Sequence, residues 1–162
     1  MKKRNFWNVL RKKGKLELVE PSMEICNSYL AKAENCLKSA KILLENKLYE
    51  NSISMSYYVM YNSLIGLFFK TGIKCENHSA SILLLKKLFN KIDLFNVISF
   101  AKEERIDKQY YVTSKDNFAL TRESALDMSR KAEDFFIKIR LFIENMNIEE
   151  MEEIRKKFES FF

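Results

Sequence analysis

A chain of 162 residues that is 47% apolar and 13% aromatic is long enough for one domain with a sizeable core. Three glycines and a single proline leave too few turn formers for a sandwich or barrel and favour a few long helices. The net charge of +6 is unevenly placed: residues 1–15, MKKRNFWNVLRKKGK, hold seven of the 28 Lys and Arg residues and none of the 22 acids, so the body beyond is near neutral.

The basic segment, Lys2, Lys3, Arg4, Arg11, Lys12 and Lys13 with Phe6, Trp7, Val9 and Leu10 among them, suits nucleic acid, an anionic membrane surface or a solvated arm. Its FWNVL core is too short for a signal peptide, whose apolar region needs roughly 7–15 residues. Residues 1–20 are expected to be a basic arm and 21–162 the folded domain.

Pro21 and Ser22 open the first strong helix, with Ser22 as N-cap and Glu24 in the first turn. Cys26, Tyr29, Leu30, Ala33, Leu37, Ala40, Leu43 and Leu44 then follow steps of three and four along one face. Tyr49 to Thr71 forms the next helix, and its run NSISMSYYVMYNSLIGLFF, from Asn51 to Phe69, carries no charge in 19 residues. That length approaches a membrane span, but six Ser and Asn residues dilute it and three tyrosines need hydroxyl partners. A central helix touched by neighbours on most sides fits better, ended by Gly72 as a left-handed cap.

A third helix is expected from Ser79, bent or broken near Asn90–Asp93 and continuing to Ala101. Residues 102–120 are polar and aperiodic and read as a connection. Thr121 restarts a helix with Ala125, Met128, Ala132, Phe135, Ile139, Phe142 and Met146 on one face, and a short last helix starts at Ile148. No alternation is long enough for a sheet. The fold class is all-α, an antiparallel up-and-down bundle of four to five helices.

Local chemistry is sparse. Cys26, Cys36 and Cys75 form no C-x-x-C pair, and with one histidine no metal site is expected; the thiols read as core fillers in a reducing cytoplasm. Glycines at 14, 66 and 72 cannot make a phosphate loop, and no cofactor is expected. His78, in KCENHSAS, is the only imidazole and so the only side chain whose ordinary pKa lies near neutrality. It would act as a base only beside an anion-stabilising cation such as Lys74 or Arg105; packing or capping the helix start is its structural alternative.

Three stretches, SYYVMYNSLIGLFFKTGIKCENHS, RIDKQYY and TRESALDMSRKAEDFF, together resemble the HEPN family over roughly residues 23–145. The resemblance implies a helical bundle that forms a homodimer, often encoded beside a minimal nucleotidyltransferase in a toxin–antitoxin-like pair. Active members carry Arg-x(4–6)-His and cleave RNA without metal, the histidine moving protons while the arginine holds charge on phosphate. Arg105 falls on that arginine, and Tyr110 stands where the histidine would be. A phenol with pKa about 10 is ionised only about one part in a thousand at pH 7, so the pair keeps an anion grip without a proton shuttle.

The tyrosine that receives nucleotides in some members would fall at Val112. The implied RNA or nucleotide site is therefore Arg105, Asp107, Tyr110 and Tyr111 with the basic arm, and no catalytic residue is assigned. The alternative is a metal-independent ribonuclease in which His78 works with Arg105. A structural role also stays open, with Arg105 and Asp107 bridging helices and the tyrosines packing at the bundle edge.

Overall fold

The structure, a computed structural model, describes the backbone of residues 2–110 and 121–161 and the side chains of 6–105 and 121–161. In chain order these form α1 (Lys2–Lys12), β1 (Leu16–Leu18), α2 (Met23–Glu45), α3 (Tyr49–Thr71), β2 (Ile73–Cys75), α4 (His78–Lys87), α5 (Ile92–Tyr110), α6 (Arg122–Asn145) and α7 (Ile148–Phe161). The all-α expectation holds. The long helices α2, α3, α5 and α6 make the bundle; α1, α4 and α7 raise the helix number above the expected four to five.

Local signals set the helix ends as expected. The Ser22 hydroxyl accepts from Ile25 N at 3.2 Å, and Thr121 and Ser124 form a reciprocal capping box. Between α4 and α5 the chain turns through Asn90, whose φ is 53°. Residues 102–110, read as part of a connection, are helical instead, because α5 continues to Tyr110; 111–120 lie outside the described residues. Lys, Glu, Arg and Gln are good helix formers, so intrinsic propensity carries the helix on where the apolar period lapses.

Helix α3 lies at the centre, against α2, α4, α5, α6, α7 and β2. Its polar residues are buried without charge because they are satisfied within the chain. Ser56 Oγ donates to Ser52 O at 2.9 Å and Ser63 Oγ to Val59 O at 2.7 Å. Ser52 Oγ reaches across to Ala40 O of α2 at 2.8 Å. Among the described residues no helix is long and apolar enough to cross a membrane.

Two features differ from the sequence expectation. Although no sheet was expected, β1 and β2 pair antiparallel, with Leu16 opposite Cys75, Glu17 opposite Lys74 and Leu18 opposite Ile73. Three residues per strand are too few for alternation to show in a sequence; burial of Leu16 and Ile73 and the 2.9 Å Lys74–Glu17 pair give the ladder its register. The basic segment is also docked rather than solvated, since Trp7 and Leu10 are buried in the common core. Trp7 and Leu10, three residues apart, do lie on one helical face, a short amphipathic signal overshadowed by the cations around it.

One cluster ties this segment to the far end of the chain. Gly72 takes φ 68° as the left-handed cap of α3. Its carbonyl accepts from Val19 N at 2.8 Å. Arg155 of α7 points Nη1 at the carbonyls of Val19 (2.9 Å), Thr71 (3.0 Å) and Gly72 (3.1 Å).

Candidate functional site

The turn from β2 into α4 fixes the imidazole. Asn77 caps α4, its side chain accepting from Ala80 N at 2.9 Å, and His78 follows as the first helical residue. Opposite it, α3 presents Tyr57 and Tyr61, four residues apart and hence on one face, with Tyr58 beside them. Helix α5 brings Lys102 and Arg105, three residues apart, to the same place.

His78 is held on two sides. Its ring stacks on Tyr61 with centroids 3.7 Å apart and planes 8° from parallel, and its Nδ1 shares a 2.7 Å hydrogen bond with the Tyr57 hydroxyl. Tyr57 is fully buried. The Arg105 guanidinium lies over the same aromatic group, 5.2 Å from the Tyr57 ring centroid and 4.9 Å from that of Tyr58. Among the described residues Arg105 forms no ion pair, and its buried Nε has no hydrogen-bond partner. Lys102 Nζ donates to Ser79 Oγ on the neighbouring turn of α4.

Burial pushes the His78 pKa below its ordinary value of 6.5, and the charges of Arg105 and Lys102 push it further. The imidazole is therefore neutral at pH 7. Burial raises the Tyr61 phenol to about 12 and drives the Tyr57 phenol well up, with Tyr61 adding to the rise and Arg105 opposing it. The Tyr57–His78 bond thus joins two neutral groups, with one proton between the phenol oxygen and Nδ1.

A titration checks this arrangement. With one histidine in the chain, a single imidazole resonance followed by NMR should titrate below 6.5, and Arg105→Met should move it upward. As pH falls below about 6.5 the unfolded chain takes up a proton that the folded one resists. Stability therefore declines until the depressed folded value is passed, and His78→Gln should remove that part of the decline. Titration above 6.5 would contradict the buried, cation-flanked environment.

Of the residues singled out in the sequence, Arg105 and His78 come together around Tyr57. Arg11, Lys12 and Lys13 are exposed at the end of α1. The side chains of Lys2, Lys3, Arg4, Asp107 and Tyr110 lie outside the described ones, and Tyr111 and Val112 lie outside the described residues. Lys74 is occupied by Glu17 at 2.9 Å and Glu76 at 3.4 Å and does not serve His78. Sequence reasoning missed the tyrosine platform. Its signal was Y-Y-x-x-Y in the uncharged stretch of α3, which demands partners for three phenols. Among the described residues no three His, Cys, Asp or Glu side chains gather as a metal site requires.

Next to this group, α2, α3 and β2 enclose a cavity of about 560 Å³ whose lining includes Tyr29, Tyr58, Tyr61, Asn62, Phe69 and His78. His78 and Tyr58 thus face both the arginine and the cavity.

Comparison with known proteins agrees with the stretches noted in the sequence. The chain is 25% identical over 118 residues to a Methanocaldococcus jannaschii protein named "Putative toxin MJ0605", covering 70% of this chain and 80% of that protein. Residues 26–142, from the buried face of α2 to the last turns of α6, match the HEPN domain, and the chain belongs to that family.

Proposed function

We propose that this HEPN-domain protein is the helical member of a toxin–antitoxin-like pair. It would act in the cytoplasm as a homodimer beside a minimal nucleotidyltransferase and bind RNA or nucleotide through Arg105. The name of the Methanocaldococcus relative supports the toxin-like setting. The carrying observation is the half-buried guanidinium of Arg105, laid on two tyrosine rings with no carboxylate paired to it among the described residues. A cation partly removed from water without a counter-charge is costly, and an arriving phosphate relieves that cost with two parallel hydrogen bonds. Arg11, Lys12 and Lys13 add exposed positive charge.

Fluorescence anisotropy with a labelled single-stranded RNA in chelator tests this. Arg105→Ala should weaken binding at least about tenfold, as loss of a charged hydrogen bond implies, and make its salt dependence shallower. Unchanged binding in Arg105→Ala would overturn the assignment, and sedimentation showing monomers alone would remove the homodimer.

A second reading, a metal-independent ribonuclease, is favoured by the meeting of Arg105 with a neutral His78 on Tyr57. An imidazole that is unprotonated at pH 7 can accept a proton from a ribose hydroxyl while the guanidinium steadies the phosphate. RNA cleavage in chelator that is lost in His78→Ala would establish it, and intact RNA would leave the binding module.

A further inference from the structure

We infer that the cavity between α2, α3 and β2 receives one nucleobase of a single-stranded RNA whose phosphate lies at Arg105. This rests on the RNA reading above and specifies which part of the strand enters the protein. The volume of about 560 Å³ suits a small planar group. Its walls are flat and already ordered: Tyr29 lies parallel to Phe69 at 5.7 Å, and Tyr61 to His78 at 3.7 Å. Base stacking on such rings is tolerant of sequence, because every base offers a π-face.

Charge argues that a base rather than a phosphate enters. Lys74 is balanced by Glu17 and Glu76, and Glu76 itself belongs to the lining. The remaining cation, exposed Lys32, already lies over the Tyr29 ring at 5.8 Å. Asn62 supplies the polar edge that a hydrocarbon ligand would not need; its amide donates to Tyr58 O at 2.8 Å from inside the lining. The cation without a paired carboxylate among the described residues is Arg105, on the other side of Tyr58. Cavity and guanidinium are thus one aromatic ring apart, as base and phosphate are separated by one sugar ring.

The test compares a labelled RNA oligomer with an abasic ribose-phosphate strand of equal length, using the full chain. The abasic strand should bind at least about tenfold more weakly, the loss expected when one base is unstacked. Tyr29→Ala should narrow the gap between the two strands, whereas Arg105→Ala should weaken both. A second measurement needs no variant: Cys36 lines the cavity and is partly exposed, so RNA should slow its alkylation by iodoacetamide and the abasic strand should not. Equal affinity for the two strands, or no protection of Cys36, overturns the base pocket while leaving the Arg105 reading in place. Failure of wild type to bind either strand removes both. A free nucleoside monophosphate that binds as tightly as the strand and protects Cys36 equally would overturn the RNA assignment in favour of free nucleotide.

Discussion

Gly72→Ala should lower stability by about 4 kcal/mol and the melting temperature by about 12 °C, measured by circular dichroism. The left-handed conformation at φ 68° costs an alanine about 1–2 kcal/mol. Its Cβ would also clash with the Arg155 guanidinium and the Val19 carbonyl, so both must shift. The guanidinium must then leave its three carbonyls, forfeiting charged hydrogen bonds worth about 1.5–3 kcal/mol in favourable cases. Because both changes act on one contact, Gly72→Ala should cost less in an Arg155→Ala background than alone. A loss under about 1 kcal/mol, or strictly additive effects, would show that the cap is not clamped in this way.

Removing residues 1–18 should have the other large effect, a fall in melting temperature of more than about 10 °C. Trp7, Leu10 and Leu16 are at most 8% exposed, and each buried apolar side chain contributes about 1.5–3 kcal/mol before ordering costs. The deletion also strips β2 of its partner strand and leaves Ile73 uncovered. Trp7→Ala separates packing from charge: it keeps every cation yet should cost about 3 kcal/mol. A truncated chain that melts like the full one would mean that the segment merely rests on the body.

Much of the bundle could be read from the residues, and the reasons are local. Ser22, Gly72 and Thr121 act within one helical turn, and the apolar face of α2 repeats for six turns, so caps and stripes survive any tertiary context. The β1–β2 pair and the docking of Trp7 could not be read that way. The strands pair residues such as Glu17 and Lys74, which no local period links, and Trp7 enters the core from a segment whose few apolar positions are lost among cations.

The candidate site divides similarly. His78 stood out by residue type and Arg105 through the family resemblance, but 27 positions separate them, and only the crossing of α4 and α5 against α3 makes them neighbours. The tyrosines were read only as phenols in need of partners, not as part of the site, because aromatic residues in a buried helix ordinarily signal packing. Here Tyr57 does both, filling the core and holding the imidazole.

The hydroxyls of α3 have one more effect. Because Ser56 and Ser63 spend their protons on their own helix, they present neighbours with little more than a methylene and a turned-away oxygen. Such a surface discriminates by shape, and adjoining helices are selected for how closely their backbones can approach it. A stretch with no charge over 19 positions can thereby sit in the middle of the bundle while its Ser56 and Ser63 ask for no polar complement from the helices around it.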